Sequence, residues 1–100
     1  IDEAIPCGLI INELVLNALK YAFPDGRDGK IWVHMRGEEE GRYLMAIGDD
    51  GVGLPAGLNL ADVDTLGLRL VQILTQQLKG ELLVERQKGT EFRISFTAAG

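Results

Sequence analysis

The stretch that decides the fold is residues 12–21, NELVLNALKY, in which leucines and polar side chains recur together at helical spacing. Glu13, Asn17 and Lys20 fall three or four positions apart, so they share one face of a helix. That face presents a carboxylate, an amide and an ammonium beside apolar residues that need burial. Polar groups at the border of a core need partners, so this strip is the first candidate site.

The helix around this strip extends in both directions. Pro6 suits the first turn of a helix, where a missing backbone N–H costs nothing. Apolar periodicity continues to Phe23, and the PDG sequence at 24–26 ends it. The spacing predicts a helix over residues 6–23.

A hairpin follows this helix. Residues 30–36 alternate apolar and polar side chains, which is the period-two pattern of a strand with one buried face. Residues 43–48 are predicted as the next strand after a polar turn at 38–41. The two strands are expected to pair with each other.

A loop, a second helix and a second hairpin complete the chain. Thr65 is placed to cap a helix over residues 66–79, and Gly80 to stop it. Two further strands are then predicted over residues 81–86 and 92–97, joined by a turn at residues 87–89. This element order favours an α+β fold, a two-layer α/β sandwich with a mixed or antiparallel sheet and both helices on one face.

Composition bounds the class of protein. The 100 residues, 46% apolar and 25% charged, predict one globular domain over residues 1–100. A net charge of -5 argues against a nucleic-acid surface, which would carry clustered Lys and Arg. Cys7 is the single cysteine, so no internal disulfide is possible, and we expect it to be a small core residue. With no signal peptide and no long apolar run, the sequence predicts a cytoplasmic domain.

The polar strip has a chemical interpretation. The amide oxygen of Asn17 is a suitable hard ligand for Mg²⁺ beside phosphate oxygens. Glu13 could orient or deprotonate a water, and Lys20 could neutralise phosphate charge. The alternative is the ordinary polar edge of an amphipathic helix.

Three further motifs are candidates. Residues 49–53 (DDGVG) place a carboxylate at the end of a strand, where it could accept a hydrogen bond from an exocyclic amine, although DDG is also a turn sequence. Gly67 opens the second helix, whose free N–H groups could bind an anion, or the glycine simply allows close packing. Thr90 could supply a hydroxyl to the floor of a pocket, although most such Gly-Thr pairs are only turns.

In chain order, the motifs E-x-x-x-N-A-x-K-Y, D-x-G-x-G, G-L-x-L-V and G-T-x-F resemble the ATP-binding domain of histidine kinases, in the superfamily shared with gyrase and MutL that has the Bergerat fold. The longer runs IPCGLIINELVLNALKYAFPDG, DDGVGLP and TLGLRLVQILTQQLKGEL look specifically like sensor kinases of the second HisKA class. This resemblance covers nearly the whole chain.

The resemblance implies a role for each matching residue. It implies that Asn17 is the Mg²⁺ ligand, that the Glu13 carboxylate precedes it, and that Lys20 approaches the phosphates. It further implies that Asp49 binds the adenine amino group. The remaining implied nucleotide contacts are Tyr21, Gly51 and Gly53, the backbone of Gly67 and Leu68, and Thr90.

These roles imply a catalytic module that binds Mg²⁺ and ATP and presents the γ-phosphate to a histidine on another domain of the same or a partner chain. A response regulator would then be a partner, and the parent protein would be a homodimer that can be membrane-anchored. His34 is the only histidine and is expected on the outward face of a strand. We therefore expect nucleotide binding without self-phosphorylation.

Three alternatives stay open at this point. An anti-sigma-type serine kinase has similar nucleotide motifs. A degenerate domain would keep the fold and only bind partners. An ATPase would use Glu13 as the base for water.

Overall fold

The computed structural model describes residues 4–23, 28–52, 66–86 and 89–97. The predicted types and order of the elements are confirmed. The helices and strands are α1 (Ala4–Tyr21), β1 (Ile31–Gly37), β2 (Arg42–Asp49), α2 (Leu66–Gln77), β3 (Glu81–Glu85) and β4 (Thr90–Thr97). Two predicted features, the PDG stop at 24–26 and the Thr65 cap, lie outside the described residues.

The ends of the elements differ from prediction at two informative places. β4 begins at Thr90 rather than at residue 92, because Thr90 already pairs with Asp49 of β2. α2 ends at Gln77, and Lys79 rather than Gly80 adopts the left-handed conformation, with φ of 55°. The amide of Gly80 then donates to the carbonyl of Thr75 at 3.0 Å, which closes the helix end.

The four strands form one antiparallel sheet in the order β1-β2-β4-β3. Both predicted hairpins are present, as β1 with β2 and β3 with β4. The central pairing, β2 with β4, joins segments that are distant in the sequence. The ladder from β2 to β4 therefore holds the two hairpins together as one sheet.

One face of this sheet carries the core. Alternate residues of β2 and β4 are buried, while their neighbours face the other way. Both helices pack on the buried side, as predicted, and Cys7 belongs to this core. The core residues are Cys7, Ile10 and Leu14 of α1, Met45 and Ile47 of β2, Leu68, Val71 and Leu74 of α2 with Leu78 just after it, and Phe92, Ile94 and Phe96 of β4.

The outer face of the sheet carries polar residues and scattered apolar ones. His34 is exposed there, as predicted, and Leu83 is 64% exposed. Within the described ranges, no helix has the length and hydropathy that crossing a membrane requires.

Replacing a core residue tests the assignment of the two faces. Ile94 is fully buried at the centre of β4, so Ile94→Ala should lower the free energy of unfolding by about 2–5 kcal/mol. Leu83→Ala, on the outer face of the neighbouring strand, should change it by less than about 0.5 kcal/mol. Urea denaturation of both variants measures this, and equal losses would contradict the assignment.

Candidate functional site

The predicted polar strip lies along the flank of α1 that meets the start of α2. Glu13 and Asn17 are both half-buried there. A Cβ added to Gly67 would lie 2.7 Å from Glu13 Oε2 and 3.9 Å from Asn17 Oδ1. The absence of a side chain at Gly67 therefore lets the first turn of α2 approach the strip, and three of the predicted residues come together.

This first group combines two kinds of ligand chemistry. The carboxylate of Glu13 and the amide of Asn17 supply hard oxygen atoms, which suit Mg²⁺. The first turn of α2 supplies the positive end of the helix dipole, which favours an anion. Lys20 lies about one turn further along α1 and is exposed. The group can thus bind a cation and an anion side by side.

A second group is centred on Asp49 at the end of β2. Asp49 is only 7% exposed, and its Oδ1 accepts a hydrogen bond from the amide of Gly51 at 2.9 Å. The backbone amide of Thr90, its partner in the sheet, donates to the same carboxylate. Asp49 and Thr90, both predicted nucleotide contacts, are therefore neighbours in the sheet.

The carboxylate of Asp49 lies in an unfavourable electrostatic environment. Burial raises its pKa above the ordinary value of 3.8, and the neighbouring charge of Asp50 raises it further. The two backbone hydrogen bonds from Gly51 and Thr90 lower the pKa but do not cancel the effect of burial. A ligand that donates another hydrogen bond to the ionised carboxylate would be favoured at this position.

The chain just after α1 connects the two groups. The carbonyl of Ala22 accepts a hydrogen bond from the amide of Val52 at 2.9 Å. A Cβ added to Gly51 would overlap that carbonyl oxygen, so this position requires glycine. Asn17 and Ala22 are five residues apart, which corresponds to about 7.5 Å along a helix. One helix therefore sets the distance between the cation group and the buried carboxylate.

Two further contacts fix the turn after β2. Gly89, with φ of +89°, lies against the backbone of Asp49 and Asp50, where a side chain would overlap the carbonyl of Asp49. Asp50 Oδ1 accepts a hydrogen bond from the amide of Lys30 at 2.7 Å, and the amide of Asp50 donates to the carbonyl of Lys30 at 3.2 Å. Both contacts hold Asp49 in place from outside the site.

The remaining predicted contacts are Leu68, Tyr21 and Gly53. The side chain of Leu68 is buried in the core and does not face a ligand. Tyr21 lies in the last turn of α1, and its side chain lies outside the description, as does Gly53. Their roles remain predictions.

Sequence reasoning missed Ala22 and assigned no role to Lys30. Both act through backbone atoms, which every residue type carries, so residue identity gives no signal. The contact between Gly51 and Ala22 could have been suspected from the small residue at each position.

Comparison with known proteins places the whole chain in one family. Residues 2–100 match the family model described as histidine kinase-, DNA gyrase B-, and HSP90-like ATPase. Sensor histidine kinase PdtaS of Mycobacterium tuberculosis is 38% identical over 95 residues, which is 90% of this chain and 19% of that protein. Blue-light-activated histidine kinase 2 of Erythrobacter litoralis is 34% identical over 86% of this chain and 25% of that protein. The chain spans about a fifth to a quarter of these relatives.

The fold also matches a solved structure. The histidine kinase domain of the Erythrobacter litoralis EL346 blue-light-activated kinase superposes with a TM-score of 0.87 at 31% identity. The match covers 95% of this chain and 44% of that one.

Neutralising Asp49 tests the electrostatics of the site. Because burial raises the pKa of Asp49 in the folded state, ionising this carboxylate destabilises the fold. This destabilisation is absent below the ordinary pKa of 3.8, grows as the pH rises toward the folded pKa, and reaches its full size above the folded pKa. Asp49→Asn should therefore be at least as stable as wild type at pH 7, and this difference should vanish at acidic pH.

Chemical denaturation at pH values from about 3 to 8, which include the range over which a carboxylate titrates, measures the difference in free energy of unfolding between Asp49→Asn and wild type. Asp28→Asn, at an exposed position, makes the same change in net charge and should leave stability unchanged. A clear loss of stability in Asp49→Asn at pH 7 would contradict the proposed cost of burial.

Proposed function

The chain belongs to the family of histidine kinase-, DNA gyrase B-, and HSP90-like ATPases, and from that premise we propose that it binds Mg²⁺ and ATP and supplies the γ-phosphate to a histidine on a separate domain. The observation that carries this proposal is the arrangement of the two groups about α1. The oxygen atoms of Glu13 and Asn17 meet the start of α2, and the turn that follows Asp49 is hydrogen-bonded to the carbonyl of Ala22 just beyond the last turn of α1. The relatives named histidine kinases support the histidine as acceptor.

The residues at the first group fit a Mg²⁺ ion. Asn17 offers an amide oxygen as a direct ligand, and the adjacent Glu13 carboxylate can orient a water that is bound to the metal. When bound, the ion would neutralise charge on the phosphate groups.

The start of α2 would hold the phosphates. Gly67 lets the first turn of α2, in which Leu68 is the next residue, lie close to the oxygens of Glu13 and Asn17. Lys20 lies on the same flank of α1 and is free to reach an anion from the solvent side. A cation, N–H donors and an ammonium would then surround the triphosphate.

The second group would bind adenine. Asp49 has hydrogen bonds from Gly51 and Thr90 and is arranged to accept one more, from the exocyclic amino group. Thr90 lies beside it, and Tyr21 and Gly53 are proposed as further nucleotide contacts. The glycine at 51 lets the turn after β2 pack against the carbonyl of Ala22 while its amide donates to Asp49.

Phosphoryl transfer needs positioning and charge stabilisation more than covalent chemistry by the protein. Each group described above positions one end of the nucleotide, and α1 sets their separation. The acceptor histidine is proposed to lie on a phosphoacceptor domain of the parent chain or of its partner in a homodimer, with a response regulator downstream. We place this module in the cytoplasm, where ATP and response regulators are available.

Titration with a non-hydrolysable ATP analogue tests the proposal. Calorimetry should show saturable binding that depends on Mg²⁺. Asp49→Asn should bind roughly 10- to 100-fold more weakly, because it loses a hydrogen bond to a charged group. Asn17→Ala should bind equally with and without Mg²⁺.

Asp28→Asn provides the matched control and should bind as wild type does. A well-folded wild-type chain that binds no nucleotide would contradict the proposal.

A second test concerns the contact between the two helices. Gly67→Ala places a methyl group 2.7 Å from Glu13 Oε2, and the mobile carboxylate must move away. We expect Mg²⁺-dependent binding to weaken severalfold, while the free energy of unfolding changes by less than about 1 kcal/mol. Gly8→Ala, on the same helix as Glu13 but with nothing within 4 Å of the new methyl group, should leave binding unchanged; equal binding by both variants would contradict a role for this contact.

A further inference from the structure

The single tryptophan spans three strands on the outer face of the sheet. Trp32 of β1 lies opposite Gly48 of β2 in the ladder. Its indole ring covers Gly48, since a Cβ there would lie 2.7 Å from ring atoms Cε2 and Cζ2. Beyond Gly48 the ring reaches β4, where Nε1 donates a hydrogen bond to Glu91 Oε2 at 2.7 Å.

The other oxygen of Glu91 is also bound. Arg93 Nε donates to Glu91 Oε1 at 2.6 Å, and Arg93 forms an ion pair with Glu85 of β3 at 3.8 Å. Burial raises the pKa of Glu91, but the hydrogen bonds from Arg93 and Trp32 and the positive charges of Arg93 and His34 outweigh it, so the pKa lies below its ordinary value. The carboxylate is therefore held ionised and in one orientation.

This bridge lies directly behind the candidate adenine group. Gly48 precedes Asp49, and Glu91 follows Thr90, in two adjacent rows of the same ladder. Because side chains alternate along a strand, Gly48 and Glu91 face outward while Asp49 and Thr90 face the core. The pair Gly48 and Glu91 is joined to the pair Asp49 and Thr90 by one peptide bond on each strand. A change in the separation of β2 and β4 at the first pair therefore changes their separation at the second.

We propose that the bridge from Trp32 to Glu91 is a positioning device, which fixes β2 against β4 so that the Asp49 carboxylate is aligned to select the amino group of adenine. The proposal rests on the proposed function, because it concerns the same site. Trp32 and Glu91 do not contact the nucleotide and act through Asp49 and Thr90.

A purely structural role makes a different prediction. A bridge that only stabilises the fold would lower the melting temperature and would weaken all nucleotides alike. A bridge that aligns Asp49 affects only ligands that carry the amino group. The deciding quantity is therefore the ratio of affinities for ATP and for the triphosphate of purine riboside, which lacks the 6-amino group.

Two variants remove the bridge in different ways. Trp32→Phe keeps an aromatic ring over Gly48 but has no N–H donor, and Glu91→Gln removes the charge of the acceptor. In each, we expect the affinity for ATP to fall roughly 3- to 10-fold and that for purine riboside triphosphate to change less than about twofold. Calorimetric titration with both ligands, at a temperature where thermal unfolding shows each variant to be folded, gives the ratio.

The chain offers a matched control. Glu38 accepts a hydrogen bond from Arg36 Nη2 at 3.3 Å beyond the far end of β1, about 20 Å along the strand from Ile31. Glu38→Gln makes the same chemical change as Glu91→Gln and should leave the ratio at its wild-type value.

The outcomes separate the two proposals. A reduced ratio in Trp32→Phe and Glu91→Gln, with an unchanged ratio in Glu38→Gln, supports the positioning role. Wild-type ratios in both bridge variants, with binding lost in Asp49→Asn, overturn the positioning role and leave the proposed function intact. A folded wild-type chain that binds neither triphosphate overturns both.

Discussion

A carboxylate can be buried beside an apolar core only if hydrogen-bond donors surround it, and the position of Asp49 depends on this constraint. Its donors are the amide of Gly51, in the turn that follows β2, and the amide of Thr90, at the start of β4. The first requires the chain to turn tightly after β2, and the second requires β2 and β4 to pair in a single register. The sheet order, the glycines at 51 and 89 and the contact with Ala22 all help to keep backbone donors within hydrogen-bonding distance of that carboxylate.

Helix α1 serves the core and the site at once. Its buried stripe packs on the sheet, while its flank carries Glu13 and Asn17 toward the start of α2. The carbonyl of Ala22 beyond its last turn supports the loop that follows Asp49. The same packing that stabilises the fold therefore sets the geometry of the site, so a change in the position of α1 would affect the group of Glu13 and Asn17 and the group of Asp49 together.

Much of this arrangement could be predicted from the sequence, because it follows from periodicity and residue chemistry. The strip of Glu13 and Asn17, the outward position of His34 and the burial of Cys7 in the core are examples. Other features depend on backbone atoms or on contacts between distant segments. Gly80 was predicted as the helix stop, yet Lys79 takes the left-handed conformation, since the closing hydrogen bond from Gly80 offsets the strain of a side chain there. The hydrogen bond from Trp32 to Glu91 joins residues 59 positions apart, and no local pattern indicates it.

The pairing of β2 with β4 also bears on the order of folding. Each hairpin closes over a short loop, whereas Asp49 meets Thr90 only after about 40 intervening residues have been brought round. Closing a longer loop costs more chain entropy, and long-range pairing slows folding. We infer that the two hairpins can form early and that their joining is the slow event. Since Asp49 lies on that seam, a nucleotide held there would bind only the joined state, and it would protect the central amides from hydrogen exchange more than those of either outer strand.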